Sequence, residues 1–254
     1  MAGLSGWGTG ERTAVAGTSM FAAALGAEAA PPVVCVHGLG CSHRYFEPLA
    51  RSLTPDARVV AVDLPGFGRT PGPARTLDVR GLSTALGCWL RATGRGGAVL
   101  LGNSSGCQVI VDLAVHSPDL LGPVVLAGPT FDSAARTAPR QVVRLLRDQP
   151  WERRGLRPLL ARDWLVCGPR RYLQTFRFLL QDPVEDKLPH VKGPALVVRG
   201  SRDRIAPRRW VEEMTQRLPA GRSAEVPGAG HTLNWSAPQE LARLVRPLLA
   251  ATAT

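Results

Sequence analysis

The chain has almost no lysine. Lys187 and Lys192 are the only two, yet Lys and Arg together number 31 against 20 acids, a net charge of +11. Nearly all the basic charge is therefore arginine. With abundant Ala, Gly and Pro, this is the bias of a GC-rich genome. The functional alternative is an acidic partner or substrate, because a basic field steers anions. The arginines are scattered, and zinc-finger spacing, RNA-binding signatures and basic aromatic stripes are all missing. Nucleic acid is not expected as a partner.

Cysteine is also scarce. Cys35, Cys41, Cys88, Cys107 and Cys167 make an odd number without a CxxC pair. That argues against both a disulfide framework and a zinc site and suits small buried apolar residues. No run approaches the roughly 18 apolar residues that span a bilayer, so no membrane partner is expected. Met1 to Gly10 lacks the basic stretch and apolar core of a signal peptide, and a cytoplasmic protein is expected. What is present is ordinary: 254 residues, 44% hydrophobic and 20% charged, suit one large globular domain.

Residues 1–10 are rich in Gly and Ser and read as loose. Thr13–Ala16 and Met20–Leu25 read as a short hairpin. Apolar runs of strand length follow at Val33–Val36, Arg58–Val62, Ala98–Leu101 and Val124–Ala127. Helical spacing covers Arg44–Leu53, Leu77–Ala92 and Ser105–His116. The rhythm resumes with strands at Ala195–Val198 and Ser223–Val226 and helices at Pro207–Leu218 and Pro238–Leu249. Continuous apolar strands alternating with helices predict a parallel α/β sheet covered on both faces. Residues 131–190 break the pattern. They read as short helices, such as Arg140–Arg147 and Arg170–Leu180, inserted over one end of the sheet. The expected organisation is a core of 1–130 and 191–254 with an insertion at 131–190.

The strongest chemical signal is Gly102-Asn103-Ser104-Ser105-Gly106, a G-x-S-x-G placed where a strand ends and a helix begins. The turn is so tight that residues two positions either side of the nucleophile must be small. Ser104 has Gly102 and Gly106 there, whereas Ser105 would have Asn103 and Cys107. A serine hydroxyl is a weak nucleophile and needs a base. Among five histidines, His37, His43, His116 and His190 each have a sufficient structural reading. His231 sits in a flexible loop, Pro227 to Thr232, after the last strand. The base needs an orienting carboxylate. Asp203 follows the strand Ala195–Val198 and is the expected acid; Asp132, which also follows a strand, is its rival. The backbone N–H groups of Ser105 and Leu39 are the expected oxyanion donors.

Val33–Gly40, Asp63-Leu64-Pro65-Gly66-Phe67-Gly68, the Ser104 elbow, Gly200–Asp203 and Gly230-His231 together resemble the α/β-hydrolase superfamily. The resemblance spans nearly the whole chain outside the insertion. It implies the α/β-hydrolase fold: a mostly parallel eight-stranded sheet, helices on both faces, and the insertion as a helical cap. It implies Ser104, Asp203 and His231 as catalytic triad, Leu39 and Ser105 at the oxyanion hole, and a loop-organising role for Asp63. No metal or organic cofactor is implied. One departure is Cys107, where many relatives carry a further glycine.

The pocket is expected to involve His37, Gly38, Phe131, Trp151, Trp164 and Trp235, the last either closing the pocket or anchoring the final helix. The expected activity is hydrolysis of an ester, thioester or lactone of a small apolar or aromatic molecule, free or linked to a carrier protein or coenzyme A. Cyclisation, acyl transfer, lyase or carbon–carbon cleavage chemistry on the same site is the alternative. A non-catalytic receptor is the remote one.

Overall fold

The computed structural model describes residues 6–15, 17–148 and 155–250. Among these, eight strands form one sheet in the order β1-β2-β4-β3-β5-β6-β7-β8. β1 (Thr9–Val15) and β2 (Thr18–Leu25) are an antiparallel hairpin, and β2 pairs antiparallel with β4 (Arg58–Val62). The expected hairpin is therefore longer than its apolar stretch. Thr9 and Gly10, read as loose, already pair with Ala24 and Ala23.

β3 (Pro32–Val36), β4, β5 (Val99–Asn103), β6 (Val124–Ala127), β7 (Ala195–Gly200) and β8 (Gly221–Val226) run parallel. In β3–β7 the side chains alternate between two cores, as a pleated strand requires. Val34, Val36, Val60, Leu100 and Leu126 face one core; Val33, Cys35, Val59, Leu101 and Val125 face the other. α1 (Glu47–Leu53) and α10 (Pro238–Leu249) close the second. α2 (Val79–Ala92), α3 (Gly106–His116) and α8 (Arg208–Arg217) close the first, around the fully buried Trp89 and Trp210. α2 starts two residues later than its apolar spacing suggests, because the Asp78 carboxylate accepts the Gly81 N–H at 2.8 Å and caps it.

The chain leaves β3 towards β4 on one side and returns to β5 on the other. The carboxyl ends of β3 and β5 thus flank the point where the strand order reverses, where open α/β sheets form their crevice.

Between β6 and β7 lie α4 (Ala138–Asp148), α5 (Leu156–Cys167), α6 (Pro169–Gln181) and the short α7 (Val184–Lys187). Gly168, at φ +75°, breaks α5 from α6, and Pro169 opens the new helix. The segment divides by its packing. Val184 and Leu188 enter the same core as α3. Lys187 donates to Asp112 of α3 at 2.6 Å and to Asp182, binding this last turn to the sheet's covering layer. α4–α6 instead wall a cavity over the carboxyl ends of the strands.

Candidate active site

Ser104 directly follows β5, which runs two residues further than its apolar run, to Asn103. Its φ is +58°, the only positive φ at a non-glycine among the described residues. A side chain in this region costs on the order of 1–3 kcal/mol and persists only where its surroundings hold it. Here the Ser104 N–H donates to Ala127 C=O at 3.0 Å. The flanking glycines are compelled by contact. A Cβ on Gly102 would lie 2.7 Å from Cys107 N, and one on Gly106 would lie 2.2 Å from Val36 O. Both obstacles are backbone and cannot rotate away. Gly106→Ala is expected to cost roughly 3 kcal/mol of stability, measured by urea unfolding. A wild-type midpoint would contradict the packing described here. Cys107, where many relatives carry glycine, is fully buried, and its thiol donates to Gly102 C=O at 3.3 Å.

Asp203 and His231 come from the loops after β7 and β8. His231 Nδ1 lies 3.0 Å from Asp203 Oδ2. The other oxygen, Oδ1, accepts the N–H groups of Ile205 and Ala206, each at 2.8 Å. Both oxygens of this buried carboxylate are thus engaged. Arg199, at the end of β7, is buried and braces the same loop. Its guanidinium donates to Asp203 C=O at 3.0 Å and Ala206 C=O at 2.9 Å, and it pairs with Glu225. Asn103 Nδ2 donates to Ala127 C=O at 3.0 Å and His231 C=O at 3.4 Å, tying the elbow to the histidine loop.

Asp132, the rival acid, is held by other partners. It caps a turn through the Ala134 N–H at 2.9 Å and binds Arg144 at 2.7 Å and Arg209. Burial pushes its carboxyl pKa up, but the Arg209 and Arg144 hydrogen bonds outweigh that and hold it below the usual value. Asp63 organises the loop after β4: it accepts from His43 Nδ1 and the Arg69 N–H, both at 2.8 Å.

The glycine loop after β3 delivers backbone donors. The Gly38 N–H donates to Tyr45 Oη at 2.7 Å, and the Cys41 N–H to Gly38 C=O at 3.1 Å. Among the described residues, the N–H groups of Leu39 and Ser105 meet no protein acceptor. Ser105 stands at the start of α3, where such unpaired donors are inherent to the helix.

Ser104, Ser105, Leu39 and His231 share the wall of one cavity of about 280 Å³. Its other walls are mostly apolar and come from α4–α6. Phe131 and Phe176 meet edge to face at 5.6 Å, and Trp164 and Tyr172 do so at 5.9 Å. Of the expected pocket residues, Gly38, Phe131 and Trp164 line this cavity. Trp151 lies outside the described residues. His37 and Trp235 are corrections. His37 Nε2 accepts the Leu64 N–H at 3.1 Å, and its Nδ1 meets Gly38 C=O at 2.8 Å. Burial lowers its pKa, and the ring is a neutral strut between two loops. Trp235, on α9 (Leu233–Ser236), is partly buried against the second core.

The sequence reading missed several lining residues: Tyr45, Thr130, Gln141 and Asp148. The Thr130 hydroxyl is buried without a partner. Asp148 accepts the Arg204 N–H at 3.0 Å, which joins the end of α4 to the Asp203 loop. Among the described residues, no cluster of three His, Cys, Asp or Glu side chains could hold a metal ion.

Comparison with known proteins agrees with this architecture. The chain is 25% identical over 248 residues to the biotin biosynthesis bifunctional protein BioHC of Cellvibrio japonicus, covering 88% of this chain and 48% of that protein. It thus spans about half the length of that relative. It is 24% identical over 242 residues to 2-(acetamidomethylene)succinate hydrolase of Mesorhizobium japonicum, covering 82% and 84%. The structure of the enol-lactonase from Burkholderia xenovorans LB400 superposes with a TM-score of 0.77 at 22% identity, covering 94% of this chain and 100% of that one. The model of the alpha/beta hydrolase family matches residues 33–244, and the chain belongs to that family.

Proposed function

We propose that the protein hydrolyses an ester, thioester or lactone with an apolar or aromatic acyl group, through an acyl-serine intermediate. The observation that carries this reading is one serine held at φ +58° in the wall of an apolar cavity. His231, with Nδ1 on a buried carboxylate, shares that wall. α4–α6 act as the cap, and their hydrophobic side chains select an acyl group that leaves water readily.

In the proposed sequence Ser104 Oγ attacks the acyl carbon while His231 Nε2 takes its proton. The carbonyl oxygen becomes an anion facing the N–H groups of Leu39 and Ser105, which need no reorganisation to receive it. The intermediate collapses, breaking the bond to the leaving oxygen or sulfur, and His231 returns the proton to that atom. Water then attacks the acyl-serine, giving its proton to His231. This second intermediate collapses, breaking the bond to Ser104 Oγ, and His231 returns the proton to that oxygen as the carboxylic acid leaves. Asp203 holds the imidazole with Nδ1 protonated, so that Nε2 is free to accept.

The test is intact-mass measurement after exposure to a small fluorophosphonate. Wild type is expected to take up one adduct and Ser104→Ala none. His231→Ala should label on the order of 10²–10⁴ times more slowly, the usual size of a general-base contribution. A folded wild-type protein that takes up no adduct would overturn the reading.

A further inference from the structure

All eight exposed large hydrophobic residues of the described chain lie on α4, α5 and α6: Val142, Val143, Leu145, Leu146, Trp164, Leu165, Val166 and Leu173. Leu165 is 83% exposed and Leu146 65%. Val142, Leu145, Trp164 and Leu173 also line the cavity, so the apolar surface is continuous with its mouth. Between Ala138 and Leu180, every exposed described residue is Gly, Ala, Pro, Val, Leu, Trp or Arg. The only acids on these helices, Asp148 and Asp163, are buried.

The arginines here are of a particular kind. Arg147, Arg157, Arg162, Arg170 and Arg177 are exposed and have no carboxylate partner among the described residues. On the sheet-and-helix body, by contrast, arginines are commonly paired, as in Arg51–Glu47, Arg91–Asp119, Arg208–Glu225 and Arg246–Asp56.

We infer that this face binds peripherally to an anionic phospholipid surface, with the cavity mouth turned towards the lipid. Three occupants could cover so apolar a face. A second copy would meet it across a twofold axis and set arginine against arginine. An acidic protein would bring a polar rim to a surface whose exposed described side chains between Ala138 and Leu180 offer hydrogen bonds only through guanidinium and the indole of Trp164. A lipid surface matches both parts. Aliphatic side chains enter the acyl boundary, arginines reach phosphate with their stems on the apolar side, and a tryptophan sits at headgroup depth. No helix among the described residues is long and apolar enough to cross a membrane, and peripheral binding requires none. The membrane partner was not expected from spacing alone, because these hydrophobics come together only when the three helices fold.

The inference rests on the proposed site only for the orientation of the mouth; binding itself is separable from turnover. The experiment uses Ser104→Ala protein, so that no lipid ester is cut. Sedimentation is measured with vesicles of phosphatidylcholine alone and of equal parts phosphatidylglycerol and phosphatidylcholine, at low and high salt. Ser104→Ala protein is expected to co-sediment with the anionic vesicles and to be released by salt. Adding Leu146→Ser and Leu165→Ser should weaken partitioning by roughly tenfold or more, since apolar burial contributes much of such binding. Adding Arg162→Gln and Arg170→Gln should reduce the preference for anionic vesicles. On the otherwise wild-type protein, Leu146→Ser with Leu165→Ser should leave turnover of a water-soluble short-chain ester within about twofold, because distant surface changes act weakly on the site.

Protein that stays in the supernatant at millimolar anionic lipid overturns the inference. So does binding that the leucine changes leave untouched. A solution dimer dispersed by those changes, or an acidic carrier protein bound while vesicles are not, also overturns it by assigning the face elsewhere. Lack of ester turnover by wild type, with vesicle binding intact, would sink the hydrolase proposal alone.

Discussion

Ser104→Ala is expected to lower kcat/KM by about 10⁶, the size of loss seen when a triad nucleophile is removed. Steady-state turnover of an activated ester measures it. The loss should appear almost wholly in kcat, because the cavity walls that hold the acyl group are untouched. Ser105→Ala makes the sharper comparison. Its proposed contribution is a backbone N–H, and its side chain makes no cap hydrogen bond. Turnover should therefore stay within about tenfold of wild type, since the oxyanion donor survives. The backbone adds an independent check. Ser104 alone among the described non-glycine residues has positive φ. Ser104→Gly relieves that strain and should match or exceed wild-type stability while losing the same activity. Activity lost at position 105 and kept at 104 would reverse the assignment of the nucleophile.

The backbone difference between the adjacent serines was legible in the sequence because the turn depends on local backbone alone. Gly102 and Gly106 abut Cys107 N and Val36 O, so the spacing of two glycines encodes the turn. The parallel strands were legible for a related reason: a strand buried on both faces must be apolar at every position, and short runs such as Val124–Ala127 have no polar face to confuse them. Features set by tertiary packing were not. His37 adjoins Gly38, which lines the cavity, yet its ring points to Leu64 N. Nothing in one-dimensional spacing tells which way an imidazole turns at a strand end. Thr130, Gln141 and Asp148 reach the cavity only because the segment after β6 folds back over the strands. Arg199 reads as an ordinary charged residue closing a strand, but its neighbours on β8 and the Asp203 loop make it a buried brace. Helices at Arg140–Arg147 and Arg170–Leu180 were readable in the sequence, inside the observed 138–148 and 169–181. That α7 packs with α3 was not, because it depends on Asp112 and Gln108 meeting Lys187 and Asp182 from distant parts of the chain.

Asp203→Asn is expected to lower kcat by about 10⁴ with a much smaller change in KM. The hydrogen bonds around this carboxylate say why an isosteric change should cost so much. Oδ1 accepts two backbone N–H groups, from Ile205 and Ala206. An asparagine must present its oxygen there, since its NH₂ would face donors. Its NH₂ then points at His231 Nδ1, which has to accept. That places the imidazole proton on Nε2, the atom proposed to take the proton of Ser104, and the base is blocked by its own tautomer. Asp132→Asn should behave in the opposite way. Turnover should stay within a few fold, but stability should fall by roughly 1–3 kcal/mol, because a buried acceptor of two charged donors loses its charge. The sign of the pH dependence follows from the lowered Asp132 pKa. Its contribution is complete above the unfolded carboxylate value and disappears as pH falls through the folded one. The difference in Tm between wild type and Asp132→Asn should therefore be full near pH 7 and shrink below about pH 4. Thermal unfolding across pH, set beside kcat at neutral pH, separates the two acids. A large loss of kcat in Asp132→Asn with little in Asp203→Asn would transfer the orienting role to Asp132, against a geometry in which that carboxylate is held by Arg144 and Arg209.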